Sequence, residues 1–385
     1  MKVLIINNFN NKLIIGGVEN YLLELKKYSE NNESRITYEW YGSSTKKTNW
    51  IQKLYNYNST KEIIHLIDRF NPDIVHCYSI GAPVTPHFMK YAKKKNIPIL
   101  YSFRDYYYIC PKNLMINNRG EIITEHRNSL DCIFNHLPKK NFIIGSLLLL
   151  KQKYHKHYIN KYVDYYLTPS KNLTKIIGLH FDLIGETLPN PLLLTPQNNI
   201  GNNNNYILYV GRLIKEKGVF TLLKSFKKIK EKYPEEKLVF AGEGGEMEEL
   251  IDFCKINNLK DVSFLGNTNR DELKKVYSNA KFVVAPSEIL ESYGNIVLES
   301  FAFKKTIIIS DLLGLKDEVI KYKCGLVFQF GNVDELTNCI ETLLTNITLK
   351  KEFSNNGFEF SKTRNFESHF NKQKEIYKEL LKKTI

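Results

Sequence analysis

Short apolar runs alternate with amphipathic stretches along this chain, and the whole pattern occurs twice. In the first half, Lys2–Ile6, Asp73–Cys77, Ile97–Ser102 and Asp164–Thr168 are short runs rich in Val, Ile, Leu or Tyr. Apolar at consecutive positions, they read as parallel strands buried on both faces. Helical spacing predicts Val18–Ser29, Lys61–Arg69 and Pro83–Lys95 between them; the last has Pro83 in its first turn and a cationic cluster at its end. In the second half the alternation restarts with strand Tyr206–Val210, helix Val219–Lys232, strand Lys237–Ala241, helix Glu246–Asn257 and strand Val262–Leu265. Further strands are predicted at Lys281–Ala285, Thr306–Ser310 and Gly325–Phe328, with helices between.

Between the halves, Pro189-Asn190-Pro191 leads into Pro196 and a polar run ending in four asparagines, Asn202 to Asn205. Proline-bounded turns followed by a low-complexity polar tract mark a linker. The expected organisation is an α/β chain of two Rossmann-like doubly wound domains facing a cleft: residues 1–190, a linker over 191–205, and residues 206–365. A C-terminal helix over 366–385 is expected to pack back on the first domain. Ligands of such folds bind beyond the carboxyl ends of the strands.

Composition narrows the classes. The longest strongly apolar run, Phe142–Leu150, is interrupted by Gly145 and Ser146 and is far short of the roughly 18 residues that span a bilayer. The N-terminal run lacks a signal-peptide core and reads as a first buried strand, so a cytoplasmic address is expected. Six cysteines are scattered without a CxxC pair, which points to reduced thiols and to no structural zinc. The net charge of +14 is uneven: residues 1–190 hold 26 Lys+Arg against 15 Asp+Glu, and the remainder 29 against 26. A basic half suits an anionic acceptor, phosphorylated ligands or anionic lipid, and is equally read as solvated surface lysine. No zinc-finger, homeodomain or aromatic-basic RNA motif accompanies it, so nucleic acid is not an expected partner.

Three segments carry candidate chemistry. The first is Ala285-Pro286-Ser287-Glu288-Ile289-Leu290-Glu291-Ser292-Tyr293-Gly294-Asn295-Ile296-Val297-Leu298-Glu299. A strand ends at its start and a helix opens near Gly294, so free backbone N–H groups there can face a diphosphate. Glu291 and Glu299 can each accept two hydrogen bonds from a vicinal diol. The second runs from Gly211-Arg212 to Lys217-Gly218 after strand Tyr206–Val210; a guanidinium fork and an ammonium together suit a departing diphosphate. The third is Gly16-Gly17 before the first helix, where a missing side chain lets backbone approach a phosphate.

In this order the segments resemble the donor-binding signatures of the retaining GT-B glycosyltransferases of family 4, the glycosyl transferases group 1. The resemblance implies that Glu291 contacts hydroxyls of the transferred sugar, with Tyr293 and Gly294 completing the loop, and that Glu299 holds the ribose diol. It implies that the backbone of Asn295, Ile296 and Val297 lies along the sugar-diphosphate, and that Gly211, Arg212 and Lys217 receive the phosphates. Gly16 and Gly17 match the family's N-terminal glycine loop, and Gly242, in Leu238–Gly244, the loop flanking the base. Thr168-Pro169-Ser170 and Asp73-Ile74-Val75-His76 also match. The chain departs from the family at Tyr101–Pro111, where Arg104 stands in place of a histidine before Asp105. An arginine cannot act as a base there, though it can contact a donor hydroxyl or phosphate, and Asp105 remains a candidate for donor or acceptor contact.

The implied activity is transfer of a hexose-type sugar from a nucleotide-sugar to a saccharide or lipid-linked acceptor, in surface polysaccharide, capsule or lipopolysaccharide synthesis. It proceeds with retention and without a bound metal or other cofactor. The competing classes are a nucleotide-sugar epimerase or a phosphorylase on the same fold, because fold does not fix function. Leu147–Tyr162, apolar then basic and aromatic, has two readings. It is either a partly buried helix at the domain's edge, or a membrane-surface helix whose Lys151, Lys153, Lys156 and Lys161 meet anionic headgroups at the inner face of the cell membrane.

Overall fold

The computed structural model describes residues 1–9, 17–31, 36–44, 47–110, 113–115, 121–123, 142–196 and 205–384. These form two compact units, one of Met1–Pro189 with Glu367–Ile385 and one of Asn190–Phe366. Each is built on a six-stranded, wholly parallel sheet.

The first unit has β1 (Lys2–Phe9), β2 (Thr37–Ser43), β3 (Ile74–Tyr78), β4 (Ile99–Ser102), β5 (Tyr165–Thr168) and β6 (Gly185–Thr187), in the order β2-β1-β3-β4-β5-β6. Its helices are α1 (Gly17–Asn31), α2 (Trp50–Leu54), α3 (Tyr57–Phe70), α4 (Phe88–Lys94), α5 (Phe142–Tyr162) and α6 (Lys171–His180). The edge strand β2 has no continuous apolar run; its side chains are mostly half-buried, and it gives no strong strand signal. The predicted helix Pro83–Lys95 starts late, at Phe88. Pro86 disfavours the helical conformation of Thr85 before it, and the Pro83 carbonyl is already taken by Asn56 Nδ2 at 2.8 Å.

The second unit has β7 (Tyr206–Val210), β8 (Leu238–Ala241), β9 (Val262–Phe264), β10 (Ala280–Ala285), β11 (Ile307–Ser310) and β12 (Gly325–Phe328), ordered β12-β11-β10-β7-β8-β9. Counted within the unit, that is the 3-2-1-4-5-6 order of the doubly wound dinucleotide-binding sheet, whose order reverses between β7 and β10. Successive strand residues go to opposite cores: Leu208, Val283 and Ile307 into one, Ile207, Phe282 and Ile308 into the other. Both faces are covered, which is why these strands are apolar at every position. The covering helices are α7 (Val219–Lys232), α8 (Met247–Ile256), α9 (Arg270–Asn279), α10 (Asn295–Ala302), α11 (Lys316–Lys321), α12 (Val333–Thr345) and α13 (Ile347–Lys362).

The expected linker needs correction at its start. Leu194 belongs to the core of the second unit, Leu192 packs against it, and Leu192 N–H donates to Arg364 O at 2.7 Å. Three leucines between two prolines have apolar surface to bury, so residues 191–196 join the unit; 197–204 lie outside the described residues.

The last helix, α14 (Phe366–Thr384), closes the first unit through a buried polar seam. His369 Nε2 meets Tyr21 Oη at 2.8 Å, His76 Nδ1 meets Tyr377 Oη at 2.7 Å, and Gln373 Nε2 donates to Tyr377 Oη at 2.7 Å. Buried polar groups of this kind are stable only when each finds a partner.

Candidate functional site

In the second unit the loops after β7 and β10 leave the sheet at its point of reversal, and backbone contacts lace them together. Gly218, at φ 69°, caps α7 so close to Pro286 that a Cβ there would lie 1.8 Å from the Pro286 carbonyl oxygen. Glu288 N–H donates to Glu216 O at 2.9 Å, and Thr221 Oγ1 donates to Glu288 Oε1 at 2.6 Å. The loop after β8 is tied in the same way. A Cβ on Gly242 would lie 2.0 Å from Gly211 O, and Leu213 N–H donates to Glu243 O at 2.8 Å. Glycine at 218 and 242 thus lets three strand-end loops touch by their backbones.

This lacing sets two predicted residues side by side. Lys217 Nζ lies 2.8 Å from Glu291 Oε1, with both side chains about one-fifth exposed (21% and 19%). Glu291 N–H donates to Leu312 O at 2.9 Å, which fixes the loop against the strand-end of β11. Arg212 is exposed, and Tyr209 Oη donates to its carbonyl at 2.7 Å. Burial raises the Tyr209 phenol pKa; the nearby Glu291 carboxylate adds to that and the Arg212 guanidinium opposes it. Arg212, Lys217 and Glu291 therefore share one small region at the switch point.

Gly294, at φ 94°, precedes α10. Val297 N–H turns back to Gly294 O at 3.0 Å; the helix start leaves the N–H groups of Asn295 and Ile296 for an outside acceptor. Of the three amides expected on a diphosphate, that of Val297 is thus already engaged. The Asn295 side chain accepts from Asn190 Nδ2 at 3.0 Å, and Tyr293 is buried, donating through Oη to Asn190 O at 3.1 Å. Tyr293 is therefore a structural strut under the loop, and its ring does not present itself to a ligand.

Glu299, one turn into α10, is half-buried, and Tyr277 Oη donates to its Oε2 at 2.7 Å. Burial raises its pKa, while the Tyr277 hydrogen bond and the charge of Arg270 pull the other way. One carboxylate oxygen is thus held by a buried phenol. Tyr277 and Asn190 have no motif of their own: Tyr277 reads as one more apolar position of α9, and Asn190 as a turn residue.

The remaining predicted residues belong to the first unit. Gly17 opens α1 and is exposed; Gly16 lies outside the described residues. The Arg104 guanidinium lies over the rings of Tyr21 and Tyr78, at 4.7 and 5.5 Å. Burial pushes the His76 and His369 pKa values down, and the Arg104 charge adds to it. Arg104 is thus a cation stacked on the aromatic seam that holds α14. Asp105 accepts from Tyr107 N–H at 3.0 Å, and burial raises its pKa to about 6. Among the described residues no three His, Cys, Asp or Glu side chains come together as a metal-ligand set, and no helix is long and apolar enough to cross a membrane.

Residues 194–360 match the family described as glycosyl transferases group 1, and that stretch contains the whole of the laced site. The chain is 31% identical over 176 residues to an uncharacterised glycosyltransferase of Methanocaldococcus jannaschii, covering 46% of this chain and 48% of that one. It is 30% identical over 187 residues to the capsular polysaccharide biosynthesis glycosyltransferase CapM of Staphylococcus aureus, covering 47% of each. The chain thus spans about half the length of these relatives. Among solved structures, HepE of Anabaena in complex with UDP superposes with a TM-score of 0.71 at 15% identity, over 98% of this chain and 100% of that one. At that identity the likeness concerns the fold, the two-unit α/β GT-B architecture.

Proposed function

We propose that the chain is a retaining glycosyltransferase that moves a hexose from a nucleoside-diphosphate sugar to a saccharide or lipid-linked acceptor in surface polysaccharide synthesis. The observation that carries this reading is the convergence of Lys217, Glu291, Arg212 and the start of α10 at the switch point of the second unit. The relation to CapM supports the polysaccharide context. HepE, solved with UDP and with UDP-glucose, supports a nucleoside-diphosphate hexose as donor.

In this mechanism the bond between the sugar's anomeric carbon and the diphosphate oxygen breaks as the acceptor oxygen bonds to the same face of that carbon. The acceptor's proton passes to the departing diphosphate. Arg212, Lys217 and the amides of Asn295 and Ile296 stabilise the charge that grows on the leaving group. These groups take the neutralising role, and no metal or other cofactor is assigned to the step. Glu291 orients the sugar and Glu299 the ribose. Asp105 is assigned to the acceptor side.

The two glutamates separate experimentally. Glu299→Ala is expected to cost about 1–3 kcal/mol of affinity for free UDP, measured by isothermal titration. Its raised pKa also means that affinity falls off, on acidification, at a higher pH than an ordinary glutamate would give. Glu291→Ala is expected to leave UDP affinity unchanged or improved, because Lys217 is released, while turnover of the intact donor drops. Equal losses of UDP affinity in both variants would show that the roles are wrongly assigned.

We also propose peripheral contact with anionic membrane at the cytoplasmic face. Lys151 cannot serve it: the residue is buried, its Nζ lies 4.9 Å from the Tyr107 ring, and burial lowers its pKa to about 8. Lys156 is half-buried over Phe181. The four lysines expected to meet anionic headgroups are spread around α5, because positions 151, 153, 156 and 161 do not follow the helical repeat. What supports the contact is apolar: Trp50, Ile51 and Leu150 on α2 and α5 are 42%, 78% and 62% exposed. Ile51→Asp with Leu150→Asp is expected to abolish flotation on phosphatidylglycerol vesicles at low salt. Equal flotation of wild type and variant would remove this surface from the account.

A further inference from the structure

A groove of about 450 Å³ lies in the first unit between α3, α4 and α5. That volume is within the usual range for a small-ligand site. Its wall includes Tyr55, Tyr154 and Tyr158, gathered around His87 with ring centroids 4.4, 5.4 and 4.7 Å from the imidazole. Lys90, Lys94 and Thr60 also line it.

Two polar atoms in this wall have no hydrogen-bond partner among the described residues: Thr60 Oγ1, on a side chain 95% buried, and His87 Nε2. Thr85 Oγ1 accepts from Asn56 N–H at 3.2 Å and lies 3.0 Å from His87 Nδ1, so that ring nitrogen is already engaged. Burial lowers the His87 pKa to about 4, which keeps the ring neutral. A buried polar atom left without a partner is costly, and a ligand hydroxyl would recover that cost.

The lysines sort themselves by partner. Lys93 is paired with Asp164 at 2.7 Å and Lys95 with Asp68 at 3.2 Å. Lys90 and Lys94, both exposed and one turn apart on α4, have no carboxylate partner among the described residues. The groove therefore combines ring faces, a hydroxyl, a neutral imidazole and two uncommitted cations.

We propose that this groove is a second saccharide-binding site, distinct from the donor residues of the second unit, that holds an acidic stretch of the acceptor glycan. The apolar faces of the sugar rings pack on the tyrosines. Their hydroxyls meet Thr60 and His87, and a sugar carboxylate meets Lys90 and Lys94. The choice of a saccharide rests on the transferase reading; the choice of an acidic one rests on the two lysines.

The probe is tetragalacturonate, titrated calorimetrically into the full chain at low salt, with maltotetraose as its neutral counterpart and UDP as a separate ligand. Saturable binding of tetragalacturonate is expected, weakened about tenfold by Thr60→Val and again by Lys90→Gln with Lys94→Gln. UDP affinity is expected to stay unchanged in all of these. A protein that binds UDP but not tetragalacturonate overturns the groove and leaves the transferase reading standing. Binding of tetragalacturonate without UDP does the reverse. Undiminished tetragalacturonate binding in the variants overturns the groove, and maltotetraose binding as tight as that of tetragalacturonate overturns the acidic specification.

Discussion

Lys217→Ala is expected to lower kcat on a nucleotide sugar by about 10²–10³, equivalent to about 2.7–4 kcal/mol of lost transition-state stabilisation. The size follows from where the lysine is held. Its ammonium is already oriented, 2.8 Å from Glu291 and four-fifths buried, so little reorganisation is needed when charge appears on the leaving diphosphate. The same pairing makes the variant informative in combination. With Lys217 gone, the Glu291 carboxylate faces a phosphate without its counter-charge. Removing Glu291 as well relieves that repulsion while losing a sugar contact. The double variant should therefore fall short of the summed losses by about 0.5–3 kcal/mol, the scale for directly interacting residues. Steady-state kinetics on the two single variants and the double variant reads this out. An unchanged kcat in Lys217→Ala would take the lysine out of the reaction, and strict additivity would show that the ion pair has no bearing on it.

Gly218→Ala is expected to be the most damaging glycine substitution in the second unit, on the order of 3 kcal/mol or more in stability. A methyl group there would meet Pro286 O at 1.8 Å and Pro286 C at 2.8 Å. The obstacle is backbone, so no side-chain rotation can relieve it. Gly331 supplies the control. Its φ is 72° against 69° for Gly218, yet nothing lies within 4 Å of a Cβ built on it. Gly331→Ala should cost only the left-handed backbone penalty, about 1–2 kcal/mol. The difference between their urea midpoints isolates the approach of the β7 and β10 loops. Because that approach also sets Lys217 beside Glu291, Gly218→Ala should lose activity at temperatures where it is still folded. Equal destabilisation by both substitutions would mean that the loops part at little cost.

Much of the fold was legible from the residues in order. Parallel strands covered on both faces must be apolar at every position, so β1, β3, β7, β8, β10 and β11 declare themselves as continuous runs. Gly211 and Gly242 stand out because they follow those runs where a loop begins, and Gly218 because it stands at a helix entry. Elements that bury only part of one side have no such signature. The half-buried edge strand β2 and the five-residue α2 went unread for that reason, and Leu192 and Leu194 were hidden inside a proline-rich turn.

The candidate site divides along the same line. Residue types that diphosphate and diol chemistry demands could be named from local spacing: Arg212, Lys217, Glu291, Glu299 and the start of α10. The pairing of Lys217 with Glu291, of Tyr277 with Glu299, and of Arg104 with two tyrosines came only from tertiary structure. So did the burial of Lys151 and the meeting of Thr60, His87 and Tyr158 in one groove. A sequence records which groups are present and which local backbone they favour. Which distant group spends the charge or hydrogen bond of another depends on sheet order and strand-end loops, and those bring together residues that are far apart along the chain.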